Sequence, residues 1–388
     1  MTASVPAPTP FPTCVALSAA GVSLVLDLSG GRLPNVLHWG AELPALTDDE
    51  ALALAEAVAP VTAPSSIDEP SPVALLPESW TGWTGRPGLS GSRAGAAWSP
   101  RFTVSALALD GSPVPLAPGV TNVGAATLEV HASDPEAALD LDLTVQLTPQ
   151  GLVRLRARLT NAGVDAYGLQ DLVLALPVPA VAREVFDLAG RWGKERTPQR
   201  RSLGVGVHLR EGRRGRTGPD AATLLHVGTP GFDFATGEVW SVHTGWSGNH
   251  THYAERLASG EQVVGGGELL LPGEVVLDAG EEYETPWVYA SYGVGLDAVA
   301  RRFHQFLRAR PNHPGPDRPV TVNVWEAVYF DHHDHAKLLE LARLAASVGV
   351  ERYVLDDGWF GARRDDRAGL GDWTVSPDVW PEGLHPLV

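Results

Sequence analysis

Residues 354–360 read Val-Leu-Asp-Asp-Gly-Trp-Phe, and this stretch decides the fold class of the C-terminal part of the chain. A short apolar run that ends in two carboxylates, a glycine and an indole predicts a buried strand. In parallel α/β folds, functional side chains gather at the carboxyl ends of the strands. Carboxylates at such an end accept hydrogen bonds strongly, and an indole can stack on a sugar ring, so the stretch favours sugar binding.

The residues before this stretch predict a strand, a helix and a second strand. Residues 320–325 form the first apolar run, residues 334–348 have helical periodicity, and residues 352–355 form the second run. Asp331 or Asp334 is positioned to cap the helix, and Gly349 to end it. The positions expected to face inward are Leu338, Leu341, Leu344, Ala345 and Val348. Such a unit predicts a parallel pair of strands, with Trp325-Glu326 and Asp356-Asp357 at the same edge.

The larger N-terminal part predicts an antiparallel β-structure from about residue 14 to 290. Residues 139–147 and 152–159 alternate apolar and polar side chains, which is typical of strands with one buried face. Residues 148–151 join them as a hairpin. Many such runs without intervening helices imply a large antiparallel sandwich. In the N-terminal part and directly after it, helical spacing is found at residues 48–58 and 296–308.

The proline-rich break at residues 310–316 marks a domain boundary. We expect a flexible N-terminus over residues 1–20, the sandwich over 21–294, a helix and linker over 295–319, and the start of a (β/α)8 barrel over 320–388. A barrel of that kind needs about 200 more residues than remain after the first strand. We therefore expect the barrel to be incomplete in this chain.

Composition narrows the possible functions. The formal net charge of −17 disfavours nucleic-acid binding, which needs a basic surface. Cys14 is the only cysteine, so one chain can form neither a disulfide nor a thiolate metal site. The first residues have no signal-peptide pattern, and no apolar run approaches the ~20 residues that span a membrane. We expect a soluble cytoplasmic protein with no membrane partner.

Three further patterns have two interpretations each. Neighbouring side chains on a strand point to opposite faces, so adjacent aspartates diverge at a strand end. The two catalytic carboxyl groups of a retaining glycosidase instead lie about 5–5.5 Å apart on either side of the glycosidic bond that is cleaved. We therefore favour binding over catalysis for Asp356 and Asp357. His332 and His335 could share a metal, but a polar loop with a helix cap is favoured; no metal or cofactor is expected. The arginines at 210, 213, 214 and 216 indicate either a solvated loop or an anion or subunit contact.

Several motifs resemble those of family 36 glycoside hydrolases, the microbial α-galactosidases of the melibiase and raffinase type. In the C-terminal part these are residues 323–331 (Asn-Val-Trp-Glu-Ala-Val-Tyr-Phe-Asp), 355–361 and 370–373 (Leu-Gly-Asp-Trp). In the β part they are residues 188–196 and 247–249. The resemblance implies an N-terminal β-supersandwich, a (β/α)8 barrel and a small C-terminal β domain. It also implies retaining hydrolysis of terminal α-galactosides by two aspartates.

The resemblance places both catalytic aspartates later in the barrel, one of them in a Lys-Trp-Asp context, so we predict no catalytic residue here and no activity for this chain alone. It implies that Asp356 and Asp357 bind galactose hydroxyls and that Trp325 lines the sugar subsite. The resemblance also covers Trp359, Asp372 and Trp373, which match family motif positions and are further candidates for substrate binding. Residues 76–83 only loosely follow a segment that can lend residues to a neighbouring subunit, and a homo-oligomer is expected for the full-length form.

Two other functions are compatible with the same residues. One is a non-catalytic galactoside-binding or assembly module. The other is a related α-N-acetylgalactosaminidase or a transglycosylase, which would share the fold and differ in the sugar or the acceptor.

Overall fold

A computed structural model describes residues 12–60, 72–221, 224–315, 317–325, 334–365, 367 and 373–388. The chain divides into two compact units, Met1–Arg310 and Pro311–Val388. Each unit is described by itself.

The first unit is almost entirely β-structure. Its strands are β1 Thr13–Ala19, β2 Val22–Asp27, β3 Asn35–Ala41, β4 Leu89–Ser92, β5 Thr103–Leu109, β6 Ser112–Val114, β7 Gly119–Val123, β8 Ala126–Asp134, β9 Leu139–Leu147, β10 Val153–Asn161, β11 Tyr167–Leu172, β12 Leu174–Pro177, β13 Glu184–Arg191, β14 Lys194–Ser202, β15 Gly206–Gly212, β16 Leu224–Gly228, β17 Glu238–Thr244, β18 His250–Arg256, β19 Gln262–Glu268, β20 Val275–Leu277, β21 Glu282–Glu284 and β22 Val288–Val294. Its helices are α1 Asp48–Val58 and α2 Leu296–Arg308, with short 3-10 turns at Ser29–Gly31 and Ser79–Thr81.

The largest sheet of this unit has eleven strands, ordered β14-β13-β16-β17-β22-β10-β9-β8-β5-β6, with β21 also paired to β10. The described residues form three smaller sheets beside it, ordered β3-β2-β1-β7, β20-β11-β4 and β12-β19-β18-β15. Apart from the parallel β1–β7 pair, neighbouring strands in these sheets run antiparallel. The predicted antiparallel β-structure is therefore confirmed.

The predicted hairpin of β9 and β10 lies at the centre of the large sheet. Buried and partly exposed residues alternate along both strands, as the sequence pattern predicts. The residues on the buried face pack with residues of the smaller sheets in one hydrophobic core. This core includes Leu143 of β9, Leu24 of β2 and Leu174 of β12. The sheets are thus layered around a common core, because each has one apolar face to bury.

Both predicted helices of the first unit form at the predicted residues. α1 begins with a capping box: Thr47 accepts a hydrogen bond from the Glu50 backbone N–H, and the Glu50 side chain accepts one from the Thr47 backbone N–H. α2 packs Leu296 and Val299 against Phe232 and Val239 of the sandwich. α2 is therefore part of the first unit rather than of a linker, because its apolar stripe is buried there.

The expected flexible segment over residues 1–20 is wrong for residues 13–19. These residues form β1, which pairs with both β2 and β7. The alternating apolar residues Val15 and Leu17 are fully buried in the main core, and this burial holds the strand in the sheet. Residues 1–11 lie outside the described residues.

The second unit contains the predicted strand, helix and strand. They are β23 Thr321–Asn323, α3 His335–Ser347 and β24 Arg352–Val354, and the two strands pair in parallel. Asp334 caps α3 by accepting a hydrogen bond from the Lys337 backbone N–H. Gly349 follows the helix with a φ of 88°, a left-handed conformation that glycine adopts without strain.

The inward face of α3 is narrower than the sequence predicts. Leu338 and Ala345 are buried, but Leu344 is 58% exposed and Val348 is 79% exposed. The small core around Val324, Leu338 and Trp380 receives only part of the apolar stripe, because the described residues of this unit offer a sheet of just two strands to pack against.

Candidate functional site

The carboxyl ends of β23 and β24 carry polar side chains that meet at one edge of the sheet. Asn323 is the last residue of β23, and its Nδ2 donates a hydrogen bond of 2.5 Å to Oδ2 of Asp356. The Asn323 Oδ1 accepts a hydrogen bond of 2.8 Å from the Trp325 backbone N–H. Asn323 therefore links the two strand ends and brings Trp325, which is half-buried, to the same edge as Asp356.

The two adjacent aspartates have opposite environments. Asp356 is exposed, whereas Asp357 is only 6% exposed. Asp357 forms a salt bridge with Arg363, whose Nε lies 2.7 Å from both carboxylate oxygens. Arg363 is itself 7% exposed, and the Gly358 backbone N–H donates a further hydrogen bond to Asp357 Oδ1. The expected divergence of the pair is thus present, with one carboxylate accessible and the other held inside the unit.

These hydrogen bonds limit what each carboxylate can accept from a ligand. A carboxylate has about four acceptor positions. Among the described residues, the Gly358 N–H donates to Oδ1 of Asp357, and the single Nε–H of Arg363 is shared between Oδ1 and Oδ2. The hydrogen bond from Asn323 occupies one position of Asp356, on Oδ2. Asp356 is therefore the better placed of the two to bind sugar hydroxyls.

Three aromatic residues, Trp359, Phe360 and Trp373, form a group next to the strand end that carries Asp356. Trp359 donates a hydrogen bond of 3.0 Å from Nε1 to the backbone carbonyl of Asp356, which fixes the indole against the strand end. Its ring lies 6.3 Å from that of Trp373, and Phe360 lies 5.1 Å from Trp373. Trp373 is 67% exposed, so its ring has a face available for stacking.

A short antiparallel contact holds this aromatic group together. Phe360 and Val375 form an isolated bridge, and the Ser376 backbone N–H donates to the Trp359 carbonyl at 3.0 Å. Arg364 donates a hydrogen bond of 2.5 Å to Ser376 Oγ. Trp359 and Trp373, 14 residues apart in the chain, are thereby brought into one cluster.

Some predicted residues fall outside the described part of the chain. These are Asp372, Glu326 and the possible metal ligand His332, together with the alternative helix cap Asp331. Within the described ranges, no group of three or more His, Cys, Asp or Glu side chains is arranged to hold a metal ion. The described ranges also contain no helix that is both long and apolar enough to cross a membrane.

Two residues of the site were not anticipated from the sequence. Asn323 lies inside the predicted strand of residues 320–325, but β23 ends at Asn323, two residues earlier than predicted, and this places the amide at the strand end. Arg363 lies six residues after Asp357 in an irregular segment, and its pairing depends on the path of the loop. Periodicity and spacing carry no information about that path.

Comparison with known proteins identifies the family. The model of the glycosyl hydrolase family 36 N-terminal domain matches residues 32–278, and the melibiase model matches residues 282–388. An α-galactosidase from Escherichia coli is 36% identical over 357 residues, which cover 91% of this chain and 48% of that protein. α-Galactosidase AgaA from Geobacillus stearothermophilus is 34% identical over 271 residues, covering 68% of this chain and 37% of that protein.

Solved structures agree with this similarity. A structure of AgaA from Geobacillus stearothermophilus in complex with raffinose superposes with a TM-score of 0.80 at 27% identity, covering 95% of this chain and 53% of that chain. Another AgaA structure, in complex with stachyose, gives a TM-score of 0.80 over 96% of this chain and 54% of that one.

The fold and the matched models define a glycoside hydrolase framework: a multi-sheet β unit followed by the first βα elements of a melibiase domain. Within that class, the chain belongs to glycosyl hydrolase family 36. The chain spans about half the length of the E. coli α-galactosidase.

Proposed function

We propose that this chain provides the N-terminal β-supersandwich and the first part of the (β/α)8 barrel of a retaining α-galactosidase. The substrates would be terminal α-galactosides of the melibiose and raffinose class. The observation that carries the proposal is the accessible carboxylate of Asp356 at the end of β24, beside Trp359 and on the same edge as Trp325. The raffinose and stachyose bound in the related AgaA structures support this substrate class.

The role of each residue follows from its exposure and its hydrogen bonds. Asp356 would accept hydrogen bonds from galactose hydroxyls, because an ionised acceptor makes stronger bonds than a neutral one. Asp357 would accept a hydroxyl at a position that Arg363 and Gly358 leave open and would otherwise act through its charge. Trp325, Trp359 and the exposed Trp373 would provide apolar faces for the sugar ring, and Asp372 would complete the motif.

The catalytic step would require groups that this chain does not contribute. Asp356 and Asp357 are adjacent and diverge, so they cannot flank a scissile bond as an acid and a nucleophile do. We therefore propose that both catalytic aspartates lie beyond Val388 and that this chain alone does not hydrolyse α-galactosides. A cytoplasmic location and a homo-oligomeric full-length enzyme remain part of the proposal.

Galactose binding by this chain and by variants of it tests the proposal. Saturation-transfer NMR would compare galactose, glucose and N-acetylgalactosamine, and Asp356→Asn would keep the shape of the side chain while removing its charge. We expect galactose to bind the chain and the variant to bind about tenfold more weakly or worse, since hydrogen bonds to charged groups contribute about 1.5–3 kcal/mol. Preference for N-acetylgalactosamine would indicate the related glycosidase, and absence of any sugar binding would contradict the proposal.

The role of Asp357 needs a matched pair of variants. Asp357→Asn alone leaves the buried Arg363 without its counter-charge and so perturbs the fold as well as the site. The double variant Asp357→Asn/Arg363→Gln removes both charges.

Turnover of p-nitrophenyl α-galactoside by the purified chain would contradict the proposed position of the catalytic aspartates.

A further inference from the structure

The outer face of the central hairpin in the first unit carries an open hollow of about 450 Å³. It lies across strands β5, β8, β9, β10 and β21, on the side of the large sheet opposite the hydrophobic core. Its volume falls within the range of about 300–1,000 Å³ that is typical of small-molecule sites. Each of its lining residues has described neighbours on both sides in the chain, so the hollow is a feature of the sheet itself.

The pairing register aligns the side chains of this hollow in two rows. In the first row each residue lies directly opposite the next on the neighbouring strand, in the order Ala106, His131, Asp142, Arg158 and Glu284. The row extends roughly 19 Å across the sheet, since neighbouring strands lie about 4.8 Å apart. It is longer than one pyranose ring and can therefore contact more than one unit of a sugar chain.

The second row provides the space. It crosses the same sheet in the order Ala108, Glu129, Thr144 and Arg156. The β5 positions of both rows are alanines, and the β9 position of this row is a threonine, whereas the β10 positions carry long arginine side chains. The face is recessed on the β5 side for this reason, and the methyl groups there are suited to the C–H face of a sugar ring.

The polar side chains of the hollow hold one another in place. His131 Nδ1 lies 2.8 Å from Asp142 Oδ1, and Arg158 Nη2 donates a hydrogen bond of 2.9 Å to Glu284 Oε2. Arg156 Nη1 lies 2.8 Å from Oε1 of the same glutamate. Ion pairs that are this exposed contribute little to stability. They do fix hydrogen-bond donors and acceptors in advance, which lowers the entropy cost of binding a ligand.

The charges of the hollow nearly cancel, which favours a neutral ligand. Two arginines face the three carboxylates of Glu129, Asp142 and Glu284, a net charge of −1 when His131 is counted as neutral. Within the described ranges, no group of three or more His, Cys, Asp or Glu side chains is arranged to hold a metal ion. The two rows present no aromatic or large aliphatic side chain, which the centre of a protein interface needs.

We propose that this hollow is a second carbohydrate site, which binds a neutral oligosaccharide along the two rows. A carboxylate has about four acceptor positions and a guanidinium five N–H donors. His131 uses one position of Asp142, so the others are open to sugar hydroxyls, and the arginines donate to hydroxyl oxygens. The site lies wholly in the first unit, uses neither Asp356 nor Asp357, and does not rest on the galactoside proposal.

Hydrogen exchange followed by mass spectrometry on the 388-residue chain locates this binding. Raffinose, maltotriose and cellotriose are the neutral probes, and trigalacturonate is the anionic one. We expect a neutral probe to slow exchange in residues 126–161, which span β8 to β10. The protection should be equal at about 0.05 M and about 0.5 M salt, because a neutral ligand has no charge to screen. Tighter binding of trigalacturonate that high salt removes overturns the proposal.

Three variants test the residues of the hollow. Asp142→Asn keeps the shape of the side chain and should weaken binding about tenfold or more, because hydrogen bonds to charged groups are the stronger ones. Ala106→Trp fills the hollow from an exposed strand position and should abolish the protection. Asp140→Asn is the matched control, on the same face of β9 but outside the hollow, and should leave binding unchanged. Binding that survives both Asp142→Asn and Ala106→Trp overturns the proposal.

The two proposed sugar sites are separated in the same experiment. Asp356→Asn should weaken protection of residues 352–360 and leave that of residues 126–161 intact. Protection confined to residues 352–360 overturns the second site and leaves the galactoside proposal standing, whereas protection confined to residues 126–161 has the opposite meaning. Protection of residues 126–161 that rises with protein concentration without sugar means that a second copy covers this face, and it also overturns the proposal.

Discussion

The two compact units of this chain bury their apolar residues to very different extents. In the first unit, β9 and β10 alone contribute nine apolar residues that are at most 2% exposed, all in one core shared by several sheets. In the described part of the second unit, the buried apolar residues are Val324, Leu338, Ala345, Phe360 and Trp380. A layered sandwich closes its own core, whereas a single parallel pair of strands leaves its outer edges unpaired.

This contrast means that the two units depend on different interactions. The first unit is held by extensive apolar packing. The second unit, with little packing, relies on individual polar contacts such as the buried pair of Asp357 and Arg363. The same contacts shape the candidate sugar site, so stability and function are coupled in the second unit and largely separate in the first.

The largest effect is expected from Arg363→Gln. This change leaves the buried carboxylate of Asp357 without its partner, and breaking such a pair costs about 3–5 kcal/mol. Hydrogen exchange followed by mass spectrometry should show loss of protection in the second unit and unchanged protection in the first. Recovery of protection in Asp357→Asn/Arg363→Gln is the control, and equal protection in the wild type and Arg363→Gln would refute the importance of the pair.

Apolar truncation should have unequal effects in the two units. Leu155 is 1% exposed in β10, opposite Val145 and Val288, so Leu155→Ala should cost about 2–5 kcal/mol of unfolding free energy. Leu344→Ala, at a position that is 58% exposed on α3, should cost less than about 0.5 kcal/mol. Denaturant unfolding of both variants measures the difference, and similar costs would show that α3 is buried in solution.

The third effect depends on pH and is confined to the first unit. Burial raises the pKa of Glu78 to about 7, and its Oε1 accepts a hydrogen bond from the Phe102 backbone N–H. Because the folded state holds this proton more tightly than the unfolded state, the stabilisation is full below about pH 4.5 and is lost as the pH rises through 7. The loss is about 3 kcal/mol, at about 1.36 kcal/mol for each unit of pKa shift.

Glu78→Gln isolates this contribution. The amide cannot ionise, so the variant should lack the decline in unfolding free energy between about pH 5 and 8 that the wild type shows. Chemical denaturation monitored at several pH values provides the comparison. Parallel pH profiles for the two proteins would mean that Glu78 is not buried as described.

Local patterns predicted much of this fold from sequence. Alternation in residues 139–159 predicted the central hairpin, and helical spacing predicted α1 and α2 at their observed residues. The common edge of Trp325 and Asp356 followed from a parallel strand pair. Each of these features depends on the spacing of apolar residues within a short segment, which is visible directly in the sequence.

What the sequence did not predict depends on distant partners. β1 is ordered because β2 and β7 pair with it, and neither pairing is visible in residues 13–19. Leu344 and Val348 are exposed because the parallel pair covers only part of α3. Arg363 reaches Asp357 through the path of an irregular segment. Each outcome is decided by tertiary contacts rather than by local propensity.

A crystal of this chain soaked with galactose tests the central claim most directly, namely that the accessible carboxylate at the end of β24 binds sugar hydroxyls. The account predicts a pyranose beside Trp359 with at least one hydroxyl about 2.5–2.7 Å from Asp356. Density in which Asp356 bonds only to Asn323, with protein atoms filling the space that a pyranose would need, would contradict it.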